Sequence, residues 1–256
     1  MAKHTLLLRL AGPMQAWGTQ SRFTNRDTGR EPSKSGVLGL LCAALGRGRD
    51  DHLDEEMLRL RMGVRVDREG RLEKDYQTAR DCVRADGKTV SRDAVISDRF
   101  YLADASFLVG LEAGEAGHMI LIQAQAKLAD PTWQLYLGRK AFPPSEPLVF
   151  ENSLRGLPLE EALKSVPWRP PAAFALAADD DPDTVARKKT HWPERLRVVL
   201  ERPYGQGGCQ IRQDQPDADS WATRRFGLRY VETTYFELGK VVAVEEVSDV
   251  PLEVNA

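Results

Sequence analysis

Thr5-Leu6-Leu7-Leu8-Arg9-Leu10-Ala11-Gly12-Pro13 is a short apolar run closed by a Gly-Pro pair that can continue neither a helix nor a central strand. It predicts a buried first strand. Beyond a polar loop comes Ser33-Lys34-Ser35-Gly36-Val37-Leu38-Gly39-Leu40-Leu41-Cys42-Ala43-Ala44-Leu45-Gly46. This second stretch opens on two candidate caps, Ser33 and Ser35, carries an apolar body and stops at a glycine, which predicts a helix. Being apolar almost all round, with Gly36 and Gly39 allowing close approach, the helix is expected to lie flat against a sheet.

Working outward, Val64 and Val66 alternate with Arg65 and Asp67 and predict a half-buried second strand, while residues 101–111 predict a longer, more buried third. Between them residues 74–98 are polar and nearly neutral, with Lys74, Arg80, Arg84, Lys88 and Arg92 set against Asp75, Asp81, Asp86, Asp93 and Asp98. With a turn-like Asp86-Gly87-Lys88, they predict a protruding β-hairpin. Met119, Ile122, Ala126 and Ala129 share one helical face ahead of Pro131, so residues 116–129 predict a second helix, and residues 133–137 a fourth strand. The order strand, helix, strand, strand, helix, strand predicts an α+β, ferredoxin-like domain, a layout that also carries RNA-recognition modules, although no RNP1 motif is present. Pro143, Pro144 and Pro147 mark a linker, which divides the chain into a domain of residues 1–147 and a small, mostly-β region of residues 148–256. The second region holds a short helix at 159–164 and strand-like runs at 196–202, 229–236 and 241–247.

Composition bounds the function. Of 256 residues, 42% are hydrophobic and 29% charged, which is ordinary globular usage and excludes disorder. No apolar run approaches the roughly 18 residues of a membrane span. Arg9 interrupts the opening run and spoils a signal peptide, so a cytoplasmic protein with no membrane partner is expected. Cys42, Cys82 and Cys209 lack CxxC spacing, and the acids Asp179, Asp180, Asp181 and Asp183 lack ligand spacing, so neither metal nor cofactor is expected. The net charge of -2 carries no basic signature, but residues 1–50 hold eight Lys and Arg against three acids. The C-terminal end is acidic, with Glu232, Glu237, Glu245, Glu246, Asp249 and Glu253 against Lys240. One anion-facing end and one solvent-facing or protein-facing end are implied.

The anion-facing candidates fall in three groups. Gln15, Trp17, Ser21, Arg22, Arg26 and Arg30 combine an aromatic face, hydrogen-bonding groups and cations in one loop, which suits single-stranded RNA. Ser33, Lys34 and Ser35 open the helix, where free amides and the positive dipole end favour a phosphate; plain capping with a solvated Lys34 is the alternative. A P-loop does not fit, because Thr28 and Ser33 stand where its glycines should be. Gly138-Arg139-Lys140 lets backbone approach a phosphate beside two cations, or is an ordinary basic turn. The four histidines, His4, His52, His118 and His191, are scattered, so no catalytic residue is assigned; a metal-independent endoribonuclease is the alternative function.

The run from Leu8 through Gln15, Ala16 and Trp17 to Gly18, with Pro32-Ser33-Lys34-Ser35-Gly36-Val37-Leu38-Gly39, closely resembles the CasD family of type I-E CRISPR systems. So do Asp75-Tyr76-Gln77-Thr78, Tyr101-Leu102-Ala103-Asp104-Ala105-Ser106-Phe107 and Tyr136-Leu137-Gly138-Arg139-Lys140. The resemblance implies a RAMP domain with a thumb hairpin. Its implied role is a non-catalytic subunit of the Cascade complex that grips the five-prime handle of crRNA, caps the row of CasC backbone subunits and supports the large subunit CasA. Target DNA is then engaged only indirectly, through the complex. The cationic loop, the helix start and Gly138-Arg139-Lys140 would clasp handle phosphates, while the hairpin, with Tyr76, Arg80 and Arg92, would wedge against the adjacent backbone subunit. Type I-C relatives that cleave RNA use a Tyr, Lys and His set; the first helix here offers no Tyr, and Gly117 rather than Lys precedes His118.

Overall fold

Leu6, Leu7, Leu8 and Leu10 are all fully buried in β1 (His4–Ala11). Consecutive leucines are tolerated there because both faces of the sheet are covered. The computed structural model describes residues 3–21, 24–83, 87, 90, 91, 94–223 and 225–240. After β1 come β2 (Met14–Gln15), β3 (Asn25–Arg26), α1 (Lys34–Leu45), α2 (Glu55–Leu58), β4 (Arg61–Arg68), β5 (Arg71–Ala79), β6 (Cys82–Val83), β7 (Val90–Ser91), β8 (Val95–Ala103) and β9 (Ser106–Ala113). Then follow α3 (His118–Ala129), β10 (Leu154–Arg155), α4 (Leu159–Lys164), α5 (Pro182–Lys189), β11 (Arg195–Arg202), β12 (Gln210–Gln215), α6 (Ser220–Thr223) and β13 (Gly227–Glu237).

The main sheet has the order β10-β1-β9-β4-β11-β13-β12, antiparallel at every pairing. On one face Leu6, Leu8 and Leu10 pack with Val37, Leu38 and Leu41 of α1 and with Ile120, Leu121 and Ala124 of α3. On the other, Leu7 and Leu108 pack with Leu159 and Leu163 of α4 and with Val198, Leu200 and Phe236. The C-terminal strands therefore extend the N-terminal sheet, joined through β4 and β11.

Several expectations are corrected. The buried face of α3 is Ile120, Leu121, Ala124 and Leu128, whereas Met119 is 60% and Ile122 39% exposed. Both sets recur at helical spacing, so periodicity alone could not choose between them. Residues 133–137 form no strand. Trp133 N–H donates to the Ala43 carbonyl at the end of α1, and the Leu137 carbonyl accepts from Ala16 N–H, so loop and helix end satisfy backbone groups that a sheet would otherwise pair. The strand flanking β1 is instead β10. Arg65, read as the polar side of a half-buried strand, is fully buried: it pairs with Asp67 and donates 2.6 Å bonds to the Leu163 and Val166 carbonyls, closing the end of α4.

The hairpin is longer than residues 74–98: β5 and β8 pair from Arg71↔Ala103 to Ala79↔Val95. Its turn residues Asp86 and Lys88 lie outside the described residues, as does the run 241–247. Ser33 is the cap of α1, its hydroxyl accepting from Gly36 N–H at 3.2 Å, and Gly46 closes the helix at φ 72°.

Candidate nucleic-acid interface

Between the β2–β3 loop, the outer face of α1, the segment after α3 and the β12–β13 region lies a cleft of about 590 Å³. Its loop wall is Gly18, Thr19, Ser21, Arg26 and Asp27; its floor is Ser35, Gly36 and Gly39 of α1, with Arg47 and Arg49 just beyond the helix. Trp133, Tyr136, Gly138 and Arg139 form a second wall, and Gln213, Trp221 and Phe226 a third. Gly36 and Gly39 were expected to bring α1 against the sheet. Instead a methyl group at Gly39 would meet nothing within 4 Å, and one at Gly36 would sit 2.9 Å from the Trp17 ring. The glycines flatten the cleft floor.

The candidates read from sequence divide sharply. Trp17, Ser21, Arg26, Ser33, Ser35, Gly138 and Arg139 line the cleft. Gln15 is fully buried, its amide donating to the Leu10 and Ala105 carbonyls and its oxygen accepting from the Trp17 indole. Trp17 is itself only 1% exposed, so its ring supports the floor and offers no stacking face. Lys34 is also 1% exposed: its Nζ meets Glu201 Oε1 at 2.8 Å and its N–H donates to Asp214 Oδ2 at 2.7 Å. The helix start is thus occupied by the chain's own carboxylate, and Lys34, read as a phosphate ligand with a solvated lysine as the alternative, is buried. Arg30, Lys140, Tyr76 and Arg80 are exposed but stand outside the cleft lining. Arg22 and Arg92 lie outside the described residues.

The cations of the cleft differ in availability. Arg139 Nη2 donates to the Phe100 carbonyl at 2.8 Å and the Arg26 carbonyl at 3.2 Å, bracing β8 against β3, and its guanidinium carbon lies 5.5 Å from the centre of the Phe142 ring. Burial, then the neighbouring Arg99, pushes its pKa down. Arg47 is paired with Asp54, which raises its pKa, whereas Arg26 and Arg49 form no ion pair among the described residues. Trp133 is 47% exposed and supplies an aromatic face. Cys42 also borders the cleft; burial pushes its thiol up.

Sequence reading missed Arg47, Arg49, Trp133, Tyr136, Gln213, Trp221 and Phe226. Gly46-Arg47-Gly48-Arg49, a basic alternation at a helix exit, was the one local signal available. None of the four histidines lines the cleft: His4 and His118 stack at 3.7 Å, His52 pairs with Asp219, and His191 stacks on Phe174. Among the described residues no helix is long and apolar enough to cross a membrane.

Residues 5–232 match the model of the family described as CRISPR-associated protein (Cas_Cas5). The Escherichia coli (strain K12) protein named CRISPR system Cascade subunit CasD is 38% identical over 156 residues, 56% of this chain and 68% of that one. Two solved structures are similar over nearly the whole chain. One, titled Crystal structure of Cas protein, has 37% identity and a TM-score of 0.66, covering 92% of this chain and 96% of its own. The other, titled CRISPR RNA-guided surveillance complex, has 30% identity and a TM-score of 0.66, covering 91% and 90%. With its mixed α/β architecture and antiparallel sheets, and with the motifs that first suggested CasD, the chain belongs to the Cas5 family of CRISPR-associated proteins.

Proposed function

We propose that the chain is a non-catalytic subunit of a Cascade-type complex that holds the five-prime handle of crRNA in the cleft described above. The observation that carries this reading is the cleft itself, where an exposed Trp133 and a flat glycine floor meet Arg26 and Arg49, neither of them in an ion pair among the described residues. Aromatic faces stack unpaired bases and arginines follow the backbone, the combination that single-stranded RNA requires. The similarity to CasD and to a chain of an RNA-guided surveillance complex supports membership of such an assembly. No histidine reaches the cleft, which favours binding over the endoribonuclease reading.

The finer layout belongs to the same proposal. The order β1-β9-β4 with α1 and α3 on one face is read as the ferredoxin-like domain of residues 1–147, with β5 and β8 as its thumb. Residues 148–256 are read as the appended region. Leu72, Tyr76 and Ile96 stand exposed on one face of the hairpin, at 54%, 59% and 44%, and would meet the CasC backbone subunit. CasA would pack elsewhere on the subunit, and the assembly would work in the cytoplasm.

Two variants test the cleft. Replacing Arg26 and Arg49 together with Ala should weaken binding of handle RNA and reduce the slope of log affinity against log salt by about 0.7 for each phosphate that the two arginines neutralise. Titrations by fluorescence anisotropy at several salt concentrations measure this; an unchanged slope places the phosphates elsewhere. Gly39→Leu should fill the cleft floor and lower affinity about tenfold or more, equivalent to about 1.4 kcal/mol. Its thermal midpoint should hold or rise, since the side chain meets open space and a mid-helix glycine costs about 0.5–1 kcal/mol relative to Ala.

A further inference from the structure

Strand β12 carries an irregularity with a consequence for recognition. Its register with β13 runs Gln210↔Val231, Ile211↔Tyr230 and Arg212↔Arg229, then resumes at Gln215↔Gly227. Gln213 and Asp214 thus oppose the single residue Leu228, the two-against-one arrangement of a β-bulge, which re-aims the side chains it contains. Asp214 turns inward. It is 3% exposed, accepts from Arg229 Nε at 2.6 Å and Nη2 at 2.9 Å, and accepts from Lys34 N–H at 2.7 Å. Gln213 turns outward into the cleft, on a backbone held by that anchored neighbour.

The Gln213 amide makes no hydrogen bond among the described residues. By contrast, Gln215 on the same strand donates to the Leu58 and Pro216 carbonyls. Three other polar groups of the cleft are engaged within the chain: Ser21 with Asp27, Ser33 with Gly36 N–H, and Arg47 with Asp54. Stacking on Trp133 accepts any base, and arginine contacts to phosphate carry no sequence information. A free carboxamide is different, because it presents one donor and one acceptor side by side, the complement of adenine N6 and N7.

We propose that Gln213 is a specificity-determining residue that reads an unstacked adenine of the bound single-stranded RNA. The inference rests on the RNA-binding reading above. The bulge supplies the aim and the buried carboxylate of Asp214 supplies the rigidity.

The test uses the full chain, the five-prime handle segment of its crRNA, and variants of that segment with each adenine replaced in turn by G, C or U. In the wild-type protein, replacing one particular adenine should reduce affinity about tenfold. Gln213→Ala should abolish that discrimination while leaving the salt slope and thermal midpoint unchanged. Gln213→Glu, an acceptor only, should shift preference at the same position toward cytosine, whose N4 donates. If wild-type protein binds the segment but tolerates every adenine replacement, or if Gln213→Ala keeps the discrimination, the inference fails and RNA binding stands. If wild-type protein does not bind the segment, both fall.

Discussion

Gly138→Ala is expected to destabilise the protein by about 3 kcal/mol or more, the upper end of what local backbone strain costs, and to impair RNA binding with it. Gly138 sits at φ 86°, where a side chain alone costs about 1–2 kcal/mol. A Cβ added there would lie 1.7 Å from the Ala16 carbonyl oxygen, a backbone atom that no rotamer change can move aside. The surrounding loop has little freedom to adjust, because Leu137 N–H donates to the Phe142 carbonyl at 2.7 Å and Ala16 N–H to the Leu137 carbonyl at 3.1 Å. Those bonds tie the Trp133 wall of the cleft to its loop wall, so forcing the loop outward separates the groups proposed to hold RNA. For a chain of this size each kcal/mol lowers the melting temperature by about 2–4 °C. Lys140→Ala, two residues on at an exposed position, should stay within about 0.5 kcal/mol of wild type. Equal thermal midpoints for the two variants would refute the steric argument.

What could be read from sequence follows from how local each signal is. The first strand and first helix were legible because a leucine run, a serine cap and a closing glycine each act within a few residues of themselves. Residues 133–137 misled because Trp133, Leu135 and Leu137 recur at every second position, a spacing that imitates a strand although Trp133 is exposed and the backbone bonds run to α1 and the β2 region. In the cleft, Ser21, Arg26, Gly138 and Arg139 came from segments whose glycine and cation content marks a loop that meets anions. Gln213, Trp221 and Phe226 carry no such mark. Their place depends on β11 joining β4, a pairing between residues more than a hundred positions apart, and on a bulge that alternation cannot forecast. Gln15 and Trp17 had a composition suited to RNA, yet they bond to each other and fill the core, because burying both with partners satisfies the polar atoms at the base of the loop.

Lys34 is the residue whose place departs furthest from expectation, and Lys34→Ala should cost about 3 kcal/mol, the low end of the 3–5 kcal/mol for breaking a buried ion pair. An exposed phosphate-binding lysine would instead leave stability nearly unchanged. The partners explain the difference. Glu201 accepts from Lys34 Nζ and from Met62 N–H, and it lies 3.9 Å from Arg229 Nη1, which remains in the variant and limits the loss. Glu201 stands 167 positions from Lys34 in the chain, so no local pattern announced the pair. Lys34→Met combined with Glu201→Gln should cost less than the two single changes together, because the pair is then removed rather than broken. The pH dependence has a definite sign. Burial outweighs Glu201 and pushes the Lys34 pKa below its ordinary value of 10.5. Between the folded and unfolded values the folded chain binds fewer protons, so the stability from this group is complete above 10.5 and falls away as pH drops through the lower folded value. Urea titrations across the alkaline range should therefore show a rise in stability with pH in the wild type that the Ala variant lacks. A Lys34→Ala protein with wild-type stability and a parallel pH profile would mean that the lysine is solvated after all, and it would again be a candidate phosphate ligand.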